Sequence, residues 1–315
     1  MQTFMQMREN KRIENKYVCV GLDVSSDNIP PEIIAFLRKE LRVDFGAKGP
    51  LVKAFNRKII EATNDIAATY KYNLGFYLAD GLQGLWALQE SVEMSRVIAP
   101  DVPIILDGKF GDVGLSSSQY AKFAFEELRV DAVTVNPWGG RADGLDAFLE
   151  YKDKGIFVWC RGSNNGAEEF QDIEFLSISA GALYDKPIYE LIAERVSGFN
   201  EYEGPVPEAG WNVNANCGVV MGATYPEQLA RVRQVVGDMP ILIPGIGAQK
   251  GDLEKAVEAA IHIDLKTGKK SLPAIFNSSR GIIYASEGED FAEAARQKAI
   301  EMNDEIMKAL GGMGA

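Results

Sequence analysis

The sequence predicts a (β/α)8 TIM barrel, and three features carry that prediction. Eight short β-rich runs recur along the chain, amphipathic stretches with apolar residues three and four apart separate them, and Gly, Pro or Asp bound the runs at their C-terminal ends. Continuous apolar strands closed off in this way suit a parallel sheet buried on both faces. A doubly wound open sheet is the alternative. It usually carries a Gly-rich phosphate loop after its first strand, and here the first run leads into GLDVSSDNIPPE, with no G-x-G-x-x-G.

In chain order the runs are 17–23 (YVCVGLD), 70–77 (YKYNLGFY), 102–109 (VPIILDGK) and 132–138 (AVTVNPW), then 155–161 (GIFVWCR), 217–223 (CGVVMGA), 239–247 (MPILIPGIG) and 273–279 (PAIFNSS). Stretches such as LVKAFNRKIIEATNDIAATY and GLWALQESVEMSRVIA have the helical period between them. No Ser/Gly linker or break in composition divides the chain, so residues 1–315 read as a single domain with two larger insertions. These are 24–49 after the first strand and 162–215 between the fifth and sixth. The tail GGMGA is expected to fray.

Composition narrows the function. With 46% hydrophobic and 25% charged residues, the 315-residue chain can bury a large core without staples. Lys and Arg total 33 against 45 Asp and Glu, a net charge of -12. That surface repels nucleic-acid backbones and anionic lipid unless a basic site is locally concentrated, while small anions remain possible ligands. The charged start MQTFMQMRENKRIENKYV lacks a signal-peptide core and no run of about 18 apolar residues occurs, so a soluble, cytoplasmic chain is expected. Cys19, Cys160 and Cys217 each lie in apolar runs and read as buried reduced thiols. No Cys/His spacing suggests a metal site, and the single histidine, His262, reads as a partly exposed helix-end residue.

Barrel chemistry belongs at the C-terminal ends of the strands. The third run, VPIILDGKFGDVG, leads straight into Asp107, Lys109 and Asp112. Residues two apart on a strand share a face, which puts Asp107 and Lys109 in the barrel mouth with Cα atoms roughly 7 Å apart. Charges held this close keep one another ionised. A structural salt-bridge cluster is the plain alternative, but charges at the end of an apolar strand are costly unless something uses them. Lys71, with Asn73 on the same face, either completes an alternating Lys/Asp/Lys/Asp array with those three or is an ordinary helix-end lysine. Asp23 ends the first strand, as an acceptor for sugar hydroxyls or as a turn residue.

The last two runs suggest an anion site. PGIGAQKGD leaves the seventh strand through a glycine-rich turn with a helix starting at Asp252, and Arg280 follows the eighth strand with a guanidinium suited to gripping phosphate. In phosphate-binding barrels these two loops commonly form the cradle.

D-G-K-F-G-D at 107–112 resembles the D-x-K-x-x-D signature of the orotidine 5'-phosphate decarboxylases, and P-G-I-G-A-Q-K-G-D at 244–252 resembles their phosphate loop. CVGLD, TYKYNLGFY, WCRGSNNGAEEFQD, GVVMGATYPEQL and NSSRGIIYA follow in the family's order, and the insertions resemble its larger, second bacterial type. The resemblance implies conversion of orotidine 5'-monophosphate to uridine 5'-monophosphate and CO2 in pyrimidine biosynthesis, without cofactor or metal. It makes Lys109 the proton donor, Asp107 the carboxylate beside the departing group and Lys71 the neighbouring cation. Asp112 completes the array across the interface of a homodimer. Asp23, Asn73 and Ser116 face the ribose, Ser163 faces the pyrimidine, and Gln249 and Arg280 hold the phosphate.

Departures from the larger type's D-A-K-R-G-D-I-G-x-T and R-T-S-N-P patterns occur at Gly108, Phe110, Val113, Ser116, Gly162 and Asn165. Sister decarboxylases and aldol-type synthases, which hold Mg2+ with the acidic residues, and a catalytically silent nucleotide-binding barrel are the competing readings.

Overall fold

The computed structural model describes residues 2–42, 46–179, 182–198, 211–212, 214–247 and 252–312. Eight parallel strands close into a barrel: β1 (Val18–Gly21), β2 (Thr69–Asn73), β3 (Ile104–Phe110), β4 (Ala132–Val135), β5 (Gly155–Arg161), β6 (Cys217–Met221), β7 (Ile241–Pro244) and β8 (Ala274–Ser278). Each strand pairs with its neighbours in sequence, and β8 returns to β1 with Val18 opposite Phe276. All eight expected runs are therefore strands of one (β/α)8 barrel.

Most are shorter than the runs in the sequence, and the second and seventh show why. In the second, the strand stops at Asn73, whose side chain accepts the Gly75 N–H at 3.1 Å and caps a helix over Leu74–Ala79. The seventh stops at Pro244, because Gly245 and Gly247 turn the chain at φ of 97° and 80°. His262 is not at a helix end: it pairs with Ser271 in a two-residue antiparallel ladder after the helix Leu253–Ala260. An antiparallel hairpin, Glu174–Ser179 with Ala182–Pro187, stands in the long connection after β5, and the helix Pro31–Leu41 in the one after β1.

Strand residues alternate between two compartments. One set packs outward against the helices, and the other fills the lumen: Cys19, Ile105, Ala132, Phe157, Val220, Leu242 and Ile275, all buried. The N-terminal end of the lumen is stoppered by Phe4, which heads the helix Phe4–Ile13 and meets Phe157 edge-on at 5.7 Å over Gly155. A reciprocal capping box between Thr3 and Gln6 starts that helix. On the outside, the helix Phe291–Gly312 closes the ring: Phe291 stacks on Phe55 at 5.1 Å, and Asn303 accepts the Tyr17 N–H and donates to Asn15. The opposite, C-terminal rim is left open.

If Phe4 stoppers the lumen, Phe4→Ala should lower stability by about 3 kcal/mol, read from urea unfolding. A loss under about 1 kcal/mol would show that the helix merely rests on the barrel.

Candidate active site

The open rim holds a continuous chain of charges. Lys71 Nζ donates to Asp23 Oδ1 at 3.0 Å and to Asp107 Oδ2 at 3.1 Å, and Lys109 Nζ donates to Asp107 Oδ1 at 2.8 Å. Asp23 lies just past β1, Lys71 in β2, and Asp107 and Lys109 in β3, so barrel closure itself brings the charges side by side. Ser279 donates to Asp23 at 2.7 Å and Thr134 to Asp107 at 2.8 Å. Asn73 reaches Asp107 more loosely, at 3.5 Å.

Burial alone would raise the Asp107 carboxyl. Lys71 and Lys109 outweigh it and hold the group well below the ordinary carboxylate range. Lys71 is the mirror case, since burial would lower it while Asp23 and Asp107 hold it above the usual lysine range. Exposure separates the two lysines: the Lys71 side chain is 3% exposed and that of Lys109 37%. Lys71 is locked into the wall, whereas Lys109 faces the cavity.

The shared face of Asp107 and Lys109 does not come from a regular pleat. Pairing of β3 with β4 runs Leu106 to Val133 and then Phe110 to Val135, so β3 bulges by two residues. At the bulge Lys109 takes φ of +44°, a left-handed conformation uncommon for a side-chain-bearing residue. Its N–H donates to Thr134 at 3.0 Å, and the same hydroxyl donates to Asp107. Thr134 thus clamps both members of the pair.

A cavity of about 830 Å³ opens over this array. Its lining includes Asp23, Lys71, Asn73, Asp107, Lys109, Ser163 and Arg280, with Trp159, Val220 and Leu242 as an apolar floor. Arg280 opens the short helix Arg280–Ile283 and borders the cavity together with Gly245 and Ile246, so the turns after β7 and β8 meet as expected. Gln249 lies outside the described residues. Asp112 and Ser116 do not line the cavity; both are exposed, and Asp112 accepts its neighbour Val113 N–H at 2.8 Å. Within the chain the charges therefore alternate as Asp23, Lys71, Asp107 and Lys109, and Asp23 joins the Lys71 end as a member that the expected array did not include.

A family model described as orotidine 5'-phosphate decarboxylase / HUMPS family matches residues 16–297. The chain belongs to this family. An orotidine 5'-phosphate decarboxylase of Cellvibrio japonicus is 36% identical over 305 residues, covering 96% of this chain and 98% of that one. Among solved structures, the Leishmania donovani OMP decarboxylase has a TM-score of 0.70 at 29% identity and covers 96% of this chain and all of that one. The Leishmania donovani UMP synthase has a TM-score of 0.74 at 30% identity over 98% of this chain, which spans 57% of that longer protein.

Two of the departures from the family pattern are one adjustment. A Cβ on residue 108 would lie 2.5 Å from the Phe110 ring, which is stacked between Tyr120 and Phe148 at 5.2 and 6.0 Å. Gly108 is thus the space that Phe110 occupies. Gly162 stands likewise to Asn164, whose side-chain oxygen fills the position of a Cβ there.

Sequence reasoning missed several polar supports. Arg161, buried at the end of β5, grips Asp172 with two bonds of 2.6 Å, lies 3.5 Å above the Tyr225 ring and anchors the Ser163 loop through the Gly162 carbonyl. Its place in R-G-S-N was the available signal. Thr134 and Ser279 carried none, because each looks like an ordinary strand-end hydroxyl.

The native carboxyl of Asp107 lies below its unfolded value, so its contribution is complete above about pH 5 and lost as pH falls through the native value. Lys71, raised, contributes fully below about pH 9 and loses that contribution as pH rises through its native value. Lys71→Met should therefore lower stability by about 3 kcal/mol at neutral pH, nearly constant from about pH 5 to 9 and smaller below about pH 4. Urea unfolding across pH at fixed salt checks this, and a strong pH slope within the window would contradict the ionisation assigned to the array.

Proposed function

We propose that the rim cavity decarboxylates orotidine 5'-monophosphate, with Lys109 as proton donor. The chain is a carboxy-lyase of pyrimidine biosynthesis, converting orotidine 5'-monophosphate to uridine 5'-monophosphate and CO2. The observation that carries the reading of Lys109 is a half-exposed ammonium held 2.8 Å from a buried carboxylate above an apolar floor.

Loss of CO2 from this ring position leaves a carbanion whose electrons lie in the ring plane and cannot join the π system. Stabilisation must come from charge placed beside that carbon. A preorganised ammonium does this most effectively at low local dielectric, and it then delivers the proton that completes the product. In this reading Asp107 stands beside the departing carboxylate, and Lys71 keeps Asp107 ionised. Asp23 and Asn73 serve the ribose, Ser163 the pyrimidine, and Arg280 with Gln249 the phosphate. Phosphate and ribose contacts lie away from the reacting carbon, and their binding energy holds the ring in register.

The Mg2+-dependent reading is less well supported, because Asp23 and Asp107 already share the Lys71 ammonium. Lys109→Ala should abolish turnover, followed by the ultraviolet absorbance of orotidine 5'-monophosphate, while the parent keeps its full rate in excess EDTA. Retained turnover in the variant removes Lys109 as the proton source, and a parent rate lost to EDTA and restored by Mg2+ favours the sister chemistry.

The working unit in this proposal is a homodimer of one-domain subunits spanning 1–315, cytoplasmic in setting, which its three buried free thiols support. Asp112 reaches the partner's cavity. Its exposure supports this, as do the exposed apolar side chains on the same rim: Leu78, Leu82, Val113, Leu115 and Trp138. Among the described residues no helix is long and apolar enough to cross a membrane. Asp112→Asn and Lys109→Ala proteins should each be inactive alone. Unfolded together and refolded, they should regain about a quarter of the parent's sites, because half of the random dimers then carry one intact site. No recovery on mixing would place Asp112 in its own subunit's chemistry or in none.

A further inference from the structure

We propose that Trp159 is a positioning residue for Lys109, its indole face forming the wall on which the ammonium rests. The inference depends on the reading of Lys109 as proton donor. Lys109 Nζ lies 5.8 Å from the centroid of the Trp159 ring, within the range where a ring quadrupole attracts a cation, while Asp107 holds the same atom at 2.8 Å. Two attractions of different kinds therefore act on one nitrogen. Asp107 supplies the charge, and the ring supplies a surface that limits where a flexible four-carbon stem can swing.

The backbone fixes the ring in turn. Trp159 is the last regular residue of β5: it pairs with Val220, and the next pair, Arg161 with Met221, leaves Cys160 as the extra residue of a bulge. Trp159 packs on the lumen cluster on one side and borders the cavity on the other.

A second observation separates this role from simple filling. The Trp159 indole N–H is buried and has no hydrogen-bond partner among the described residues. A buried donor without a partner costs stability, and leucine or phenylalanine would fill the layer without that cost. What tryptophan adds is the strongest π face of any side chain, at a position where a cation lies against it.

The test weakens that face without altering its shape. Mono-, di- and trifluorinated tryptophan placed at position 159 should slow CO2 release in a single turnover stepwise, by about threefold or more across the series. KM and the affinity for uridine 5'-monophosphate should stay within about twofold, since positioning acts on the chemical step rather than on binding. Trp159→Phe should fall between the parent and Trp159→Leu. A rate independent of fluorination, or equal rates in the Phe and Leu variants, would overturn the proposal. Lys109→Ala keeps the two ideas apart: if it still decarboxylates, the reading of Lys109 fails, and if it is inactive while the fluorinated series is flat, only the role of Trp159 fails.

Discussion

A buried ammonium bridging two carboxylates is the constraint around which the rim is built. Lys71 has nowhere to place its charge except between Asp23 and Asp107, one just past the end of the strand on one side of its own and the other in the strand on the other side. Removing one partner would strand a charge in a region where an unpaired ion is strongly disfavoured. The ends of β1, β2 and β3 are therefore tied together by electrostatics as well as by backbone hydrogen bonds. Once Lys71 has consumed one face of Asp107, the other face is left for Lys109, which is why one lysine is structural and the other available.

That arrangement needs a backbone that the strand alone does not supply. A regular pleat would carry the residue after Asp107 outward and Lys109 back in, with the ladder to β4 unbroken. The chain instead bulges, and Lys109 adopts a left-handed φ. The strain is held by Thr134 on one side and by the packing of Phe110 against Tyr120 and Phe148 on the other. Phe110 anchors the strand just beyond the bulge, and Gly108 is what allows the ring to sit there. Local strain at a reactive group, compensated by rigid neighbours, fits a side chain whose direction matters more than its comfort.

The barrel was legible in the sequence because each strand is short, apolar and punctuated, and eight such units leave few other ways to bury every face. The charges at the end of the third run were legible for the same reason, since polar residues stand out after IIL. What was not legible depends on contacts made across the barrel. Asp23 as the partner of Lys71 requires knowing which strand ends adjoin. The Phe4 stopper lies in a charged segment with no apolar run to mark it, although T-x-x-Q at 3–6 is a helix-start signal. The hairpin at 174–187 was hidden in a connection read only as an insertion.

The two ends of the lumen explain each other. At the N-terminal end Phe4 packs with a layer of Phe157, Ile105 and Ile275. Above it Trp159, Val220 and Leu242 form the floor on which the charge array stands. An ammonium over such a floor has little polarisable solvent beneath it, so its field is directed upward into the cavity rather than screened from below. A leaking lumen would let water rise under the array and weaken that field with no change in any rim residue. Closure at one end of the barrel and charge stabilisation at the other are in this sense a single design, linked by one layer of apolar side chains.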